Sequence, residues 1–190
     1  MIIASIVLAA TTLASDVPAD ANVHAVDAAG DVAVTVTVGK THSVVVTGKV
    51  DAKLEGDKLV VVAPAHAESR ATITVVVDAL SAVSTKGSAH VNVAGINGKS
   101  FAVDADNGSV VVVAGKTSAL SLSAQGTAHV DASALSAQSV DVKLNEASRA
   151  EVTSTASITI ELQRASRLTV KGKPKNVVKN VGGVAKLTIE

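Results

Sequence analysis

Basic side chains recur at a near-constant interval in the second half of the chain. They are His129, Arg149, Arg167 and Lys186, at steps of 20, 18 and 19 residues. If each step is one turn of a coil, neighbouring members lie roughly 4.8 Å apart on adjacent strands. Such a column could dock an acidic glycan or another anionic partner. From the sequence we favour the alternative of a solvated face with ion pairs between rungs, in which Asp131 and Glu151 lie beside Arg149.

Two carboxylate pairs could support chemistry on a polysaccharide, namely Asp104 with Asp106 and Asp131 with Glu151. Hydrolases use two carboxyl groups at a set separation, and lyases can use carboxylate-bound calcium with a basic proton acceptor. Both pairs lie where ordinary surface alternation places charges, and no Trp or Tyr is present to stack on sugar rings. We therefore predict a protein that is not an enzyme. A polysaccharide lyase or hydrolase is the alternative, and it requires one of these pairs to line a groove.

The histidines lack the spacing of a metal site. His90 and His129 occupy equivalent positions two rungs apart, about 9–10 Å by the strand spacing, whereas metal ligands lie about 2 Å from the ion. His24, His42 and His66 show no ligand spacing. A Gly-rich phosphate loop, a nucleophile elbow and a zinc motif are also missing from the sequence. No metal and no cofactor is predicted.

A repeat from Leu80 to Glu190 sets these positions. One apolar-x-apolar pair returns at steps of 20, 19, 20, 18 and 19 residues: Val91/Val93, Val111/Val113, Val130/Ala132, Ala150/Val152, Leu168/Val170 and Leu187/Ile189. A second apolar series follows the same period: Val83, Val103, Leu122, Val142, Ile160 and Val178. A period near 20 is typical of a solenoid, and alternation within each unit is typical of strands. The pattern predicts an all-β fold, a β-helix with rungs of about 18–20 residues.

Turn residues recur in the same frame, at Lys86-Gly87-Ser88, Asp106-Asn107-Gly108-Ser109, Gln125-Gly126-Thr127, Asn145-Glu146-Ala147, Arg164-Ala165-Ser166 and Gly182-Gly183. Gly and Asn suit corners with positive φ. The corners at Glu146 and Ala165 lack glycine, so we expect them to be built differently or under strain. A third side has a weak apolar signal (Ile96, Thr117, Leu135, Thr155), which leaves the number of strands per rung open.

A second outward column accompanies the second apolar series. Its members are Ser84, Asp104, Ser123, Lys143, Glu161 and Lys179. The last three alternate in sign on adjacent rungs, and like charges stacked directly would repel. This column is therefore predicted to be a structural ladder.

Residues 22–79 are predicted to form an N-terminal β cap on one end of the stack, continuous with the repeat at 80–190. Strands are expected at 32–38, 43–46, 59–63 and 71–77, with a hairpin turn at Glu55-Gly56-Asp57. Ile73 and Val75 precede Val91 and Val93 by 18 residues, so strand 71–77 is a candidate first partial rung.

Residues 1–15 are apolar and uncharged. Their length suits the core of a secretory signal better than a membrane-spanning helix, which needs about 20 residues. The charged start is missing, and both Thr12-x-Ala14 and Ala19-x-Ala21 fit a cleavage site. We interpret residues 1–21 as a signal-peptide remnant and linker, the alternative being a buried first strand or capping helix.

Whole-chain properties exclude several function classes. With 17 basic and 17 acidic residues the formal net charge is zero, so no bulk attraction to nucleic acid or anionic lipid is expected. Phe101 is the only aromatic residue, which leaves no stacking platforms for bases. The absence of cysteine excludes disulfides and thiol chemistry.

Three groups of motifs, taken in order, carry a family resemblance. They are Gly30-Asp31-Val32 with Gly56-Asp57-Lys58-Leu59-Val60-Val61, the corner units Gly87-Ser88-Ala89-His90-Val91 and Gly126-Thr127-Ala128-His129-Val130, and the ending Val170-Lys171-Gly172-Lys173-Pro174 with Val181-Gly182-Gly183-Val184. The chain thereby resembles the putative auto-transporter adhesin head-domain family of bacterial cell-envelope proteins.

This resemblance implies a right-handed parallel β-helix in an exported protein of the periplasm, outer-membrane surface or extracellular space. It also implies a non-catalytic adhesive or structural role, with a glycan or protein partner at the cell surface. Because the chain ends directly after its last rung, we do not expect self-transport or a membrane span in the mature chain. A self-assembling envelope scaffold is a further alternative, in which the strand Lys186–Glu190 mediates an end-to-end homo-oligomer.

Overall fold

The computed structural model describes residues 17, 18, 20–64 and 70–190. Most of the predicted signal segment and His66 lie outside the described residues. Within them the chain forms fourteen strands and no helix. The strands are β1 (Ala25–Ala29), β2 (Val32–Val38), β3 (Ser43–Thr47), β4 (Asp51–Glu55), β5 (Lys58–Val62), β6 (Ala71–Val77), β7 (Ala82–Lys86), β8 (His90–Ala105), β9 (Val110–Ala124), β10 (His129–Leu144), β11 (Arg149–Leu162), β12 (Arg167–Lys171), β13 (Asn176–Val181) and β14 (Lys186–Ile189).

Parallel pairing stacks these strands into the coils of a β-solenoid, as predicted. One long side, here called face A, contains in stack order β3, β6, β2, the first part of β8, then β9, β10, β11, β12 and β14. The other, face B, contains β4, β5, β1, β7, the second part of β8, then β9, β10, β11 and β13. Strands β8 to β11 contribute to both faces and shift register between them.

The first apolar series forms the core of face A, as the repeat predicts. Val91, Val111, Val130, Ala150 and Leu168 are paired in register, and all five are buried. Parallel strands place paired residues on the same side of the sheet. The interior is therefore a column of small and branched side chains, each of which is shielded by the rungs on either side.

The N-terminal strands insert into the stack in an order that the sequence spacing does not reveal. Strand β2 lies between β6 and β8, because Val34 pairs with Ile73 on one side and Val91 on the other. Strand β6 is thus a rung of the stack, as predicted, but β2 lies between it and the Val91/Val93 rung. Strand β2 has the same alternation as β6, so spacing alone cannot decide which of them contacts β8.

Antiparallel strands complete this end of the solenoid. Strand β3 pairs antiparallel with β6, and β4 pairs antiparallel with β5. The predicted hairpin turn at Glu55-Gly56-Asp57 is confirmed, with Leu54 opposite Leu59 across it.

The second apolar series is confirmed for five rungs and wrong for the sixth. Val83, Val103, Leu122, Val142 and Ile160 are buried and in register on face B.

The partner of Ile160 in the next rung is Lys179, whereas the predicted Val178 pairs with Thr159 and is 64% exposed. The last step is thus 19 residues and not 18. The outward ladder consequently ends in Asn180, which pairs with Glu161, and not in Lys179. The run Val177-Val178-Lys179 can be placed against Ile160 in two registers. The apolar pattern predicted that Val178 points inward, whereas Lys179 occupies that position.

Each of the six corners contains one residue with a left-handed backbone conformation, at the equivalent position of its rung. The φ angles are 74° at Gly87, 59° at Asn107, 70° at Gly126, 62° at Glu146, 60° at Arg164 and 69° at Gly183. The two corners without glycine are therefore strained rather than rebuilt, since side-chain-bearing residues rarely adopt this region. In the second of them the left-handed residue is Arg164 and not Ala165.

The third side is a short link between the two faces. Ile96, Thr117 and Leu135 are buried there, as the weak apolar signal indicated. Thr155, in contrast, is exposed, and Ser154 takes the inward position. Its hydroxyl donates to the Ser157 carbonyl at 2.9 Å, which satisfies a polar group inside the coil.

Candidate binding surface

The four predicted site residues lie in one column on face A. His129 pairs with Arg149, Arg149 with Arg167, and Arg167 with Lys186. All four are exposed. We call His129, Arg149, Arg167 and Lys186 the basic column. The structure thus brings together the residues that the spacing selected, while their role in binding stays a prediction.

The corners fix the position of each column residue. Each follows a left-handed turn and a small side chain, and its backbone N–H donates to the preceding rung. The Arg149 N–H bonds the Ala128 carbonyl, and the Arg167 N–H bonds the Ser148 carbonyl, both at 2.9 Å. The side chains are therefore held at one register position per rung by backbone bonds, and not by contacts among themselves.

The neighbouring acidic groups have partners outside the basic column. The Glu151 carboxylate accepts a hydrogen bond from the Lys171 ammonium at 3.0 Å, and the Asp131 carboxylate accepts one from the Ser133 N–H, also at 3.0 Å. The expected ion pairs of Arg149 with Asp131 and Glu151 are not formed. Within the described chain, Arg149 has no ion-pair partner.

These contacts shift the pKa values of Asp131 and Lys171. Partial burial would raise the pKa of Asp131, but hydrogen bonds from Ser133 and the charges of Lys171 and His129 outweigh it and lower that pKa below 3.8. The pKa of Lys171 is raised above 10.5 by the hydrogen bond and the charge interaction that Lys171 makes with Glu151. Both groups are therefore charged at neutral pH. Sequence reasoning missed Lys171, although its 20-residue separation from Glu151 matches the repeat.

Face A changes character along the stack. On the rungs before β10 its outward residues include Thr35, Thr74, Asn92 and Val112, all uncharged and exposed. Val110 separates His90 from His129 in the column direction. Positive charge on this face is therefore concentrated at the β10–β14 end.

The carboxylate pairs do not form a shared catalytic groove. Asp104 lines a cavity of about 270 Å³ together with Asp27, Lys58 and Ser84, whereas Asp106 accepts a hydrogen bond from the Asn107 N–H at 2.6 Å and stabilises the corner. Asp131 and Glu151 are engaged with Ser133 and Lys171 as described above. Among the described residues, no cluster of three His, Asp or Glu side chains could hold a metal ion.

A β-solenoid with charges in register on a broad exposed face is a repeat protein with an extended surface. The chain belongs to the family described as putative auto-transporter adhesin, head GIN domain, whose model matches residues 22–174. No helix in the described part of the chain is long and apolar enough to cross a membrane.

Two solved structures illustrate the likeness of this fold to known proteins. A putative adhesin from Bacteroides fragilis is 14% identical, with a TM-score of 0.69 over 89% of this chain and 93% of that one. A putative adhesin from Parabacteroides distasonis is also 14% identical, with a TM-score of 0.55 over 88% of this chain and 93% of that one. No curated protein matches the chain. At these identities the likeness shows the fold alone.

Proposed function

We propose that the protein is an exported, non-enzymatic adhesion module that binds an acidic glycan through the basic column. Membership of an adhesin head-domain family supports a surface role. The observation that carries the ligand class is that neither Arg149 nor Arg167 has an ion-pair partner within the described residues. The expected partners of Arg149 bond instead to Lys171 and Ser133.

The geometry suits a linear polyanion. Adjacent column members are separated by one strand spacing, roughly 4.8 Å, so a chain of regularly spaced carboxylates or sulfates lying along the solenoid axis meets several cations at once. Guanidinium groups bind such oxyanions with two parallel hydrogen bonds. An extended, exposed surface without stacking aromatics favours this charge-based recognition over enclosure of a single sugar.

Neither of the two predicted carboxylate pairs supports the enzyme alternative. Asp104 and Asp106 do not form a pair at one site, since Asp104 lines a cavity and Asp106 bonds to the corner backbone. The second pair is engaged in hydrogen bonds on an open face. A polysaccharide lyase or hydrolase would need a carboxyl group available to substrate beside a second group able to transfer a proton.

The test is binding of the full chain to immobilised sulfated and uronic-acid polysaccharides, with neutral glucans as the negative series. The variant carries Arg149→Ser and Arg167→Ser. The control carries Lys99→Ser and Lys116→Ser. These substitutions remove the same amount of positive charge at two exposed positions on the third side. We expect wild type and control to bind the acidic polymers, and the arginine variant to lose at least tenfold in affinity.

Each cation contributes about 1 kcal/mol or more when it meets an anion, so loss of two predicts that decrease. Binding should also weaken as salt rises from 0.05 to about 0.5 M, since the Debye length falls toward 4 Å. Equal binding by the arginine variant and wild type would contradict the proposed site. Absence of binding by wild type to every acidic polymer would contradict the ligand class.

A further inference from the structure

Strongly exposed Val and Ile side chains are concentrated at one end of the solenoid. In the last two strands and the loop between them, these are Val177, Val178, Val181, Val184 and Ile189, with Val184 81% exposed. Clustered exposed apolar side chains on a folded protein mark an interaction surface. Their position on the terminal rung of the described chain places that surface at the end of the stack.

The backbone of β14 also has one unoccupied edge within the described residues. The N–H groups of Lys186 and of Glu190, the residue that follows β14, donate to the Ser166 and Val170 carbonyls of the preceding rung, each at 2.9 Å. In a parallel ladder the intervening residues direct their N–H and C=O groups to the opposite side. Leu187 and Ile189 therefore offer donors and acceptors along the open edge, which is a template for another strand.

We propose that this edge pairs with β14 of a second copy of the chain, antiparallel, about a two-fold axis through Thr188. That register places Leu187 opposite Ile189 of the second copy, and these residues carry the open N–H and C=O groups. It also places Lys186 opposite Glu190 of the second copy, twice by symmetry. The strand is thus complementary to itself in hydrogen bonding, apolar contact and charge.

Pairing through β14 on face A leaves the outer edge of β13 on face B without a paired strand. Lys179 pairs with the buried Ile160 and so occupies an inward register position on β13. A further rung stacked on β13 would bury this ammonium group without a partner, which is costly. Lysine at such a position is a known means of preventing edge-to-edge growth. Pairing of β14 with itself uses the same edge of both copies and therefore stops at two.

The two-fold axis is normal to face A, so both copies present this face on the same side. Arg149 and Arg167 of each copy then lie on one continuous surface, with Lys186 engaged at the junction. This consequence rests on the proposed function, since it makes the dimer a bivalent ligand for a long acidic polymer. The dimer itself does not depend on that ligand.

The test is sedimentation velocity of the full chain over a hundredfold concentration range, without any glycan. Wild type should change from monomer to dimer and grow no further. Lys186→Glu and Glu190→Lys, tested singly, place like charges opposite each other twice and should weaken the dimer about tenfold. The double variant Lys186→Glu/Glu190→Lys restores opposite charges and should restore the dimer, while the control Lys99→Glu should match wild type.

The possible results separate the alternatives. Monomer at every concentration, continued growth beyond dimer, single variants that associate as wild type does, or a double variant without recovery each overturn the proposed pairing. Circular dichroism of each variant verifies that the solenoid is folded. Because the assay contains no polysaccharide, failure of the glycan proposal leaves its outcome unchanged.

Discussion

At the scale of single residues, the small side chains beneath the corners differ in how well their polar atoms are satisfied. Ser109, Ser148 and Ser166 are all fully buried. Ser109 accepts a hydrogen bond from the Thr85 hydroxyl at 2.9 Å, and Ser148 donates to the Asn145 carbonyl at 2.8 Å. The hydroxyl of Ser166 has no partner within the described residues. Equivalent corners carry Ala89 and Ala128, so the site accepts a methyl group.

Ser166→Ala is therefore expected to raise the free energy of unfolding by roughly 1 kcal/mol, because it removes a desolvated hydroxyl that gains no hydrogen bond. Ser148→Ala is the matched control and should lower it by about 1 kcal/mol, since it removes a satisfied one. Chemical denaturation of both variants measures the difference. Loss of stability in Ser166→Ala equal to that in Ser148→Ala would show that the Ser166 hydroxyl is satisfied.

The lowered pKa of Asp131 makes the contribution of this residue to stability depend on pH. Because the folded-state pKa lies below 3.8, the carboxylate stabilises the fold above the unfolded pKa, and this stabilisation is lost as pH falls through the folded pKa. Asp131→Asn should therefore lower the free energy of unfolding at pH 7 and have little effect near pH 2. Denaturation midpoints of the two proteins at both pH values measure this, and an equal difference at pH 7 and pH 2 would contradict it.

At the scale of elements, the sequence predicts strands and rungs well because each rung buries alternate residues against its neighbours. The register of the basic column could be predicted because Ala150 and Leu168, one position beyond Arg149 and Arg167, are confined to the core. Two features could not be predicted. The order of β6, β2 and β8 depends on long-range closure that spacing does not encode, and the register of β13 is set at an edge where neither choice is fully buried.

The corners contain left-handed residues both with and without a side chain. Glu146 holds φ at 62°, as Gly126 does at 70° in the preceding corner. A residue with a side chain costs about 1 to 2 kcal/mol in this region, and glycine avoids it. Glu146→Gly should therefore raise the free energy of unfolding by about 0.5 to 1 kcal/mol after the entropy of the unfolded glycine is included.

Gly126→Ala is the opposite change at an equivalent corner. An added Cβ would lie 2.8 Å from the Asn107 Cα, so strain and overlap should lower stability by more than 1 kcal/mol. Thermal unfolding of the two variants gives the comparison. A Glu146→Gly protein that melts below wild type would show that the Glu146 side chain contributes more than its backbone strain costs.

At the scale of the whole molecule, the insertion of β2 between β6 and β8 connects the N-terminal strands to the repeat. A linear stack is stabilised mainly by contacts between neighbouring rungs, so an internal defect acts on both neighbours while a terminal one acts locally. Val34 is buried between Ile73 and Val91 and is therefore an internal position. Val178 on the terminal strand β13 is 64% exposed and is the matched position at the end.

Val34→Ala should lower the free energy of unfolding by about 1 to 3 kcal/mol, because it removes two methyl groups from the packed core. Hydrogen exchange followed by mass spectrometry should show faster exchange in both β6 and β8. Val178→Ala makes the same chemical change at an exposed site, and its exchange should differ from wild type only within β13. If Val34→Ala accelerated exchange in β6 and left β8 unchanged, β2 would not couple the N-terminal strands to the repeat on face A, and the coupling would have to run through β1 and β7 on face B.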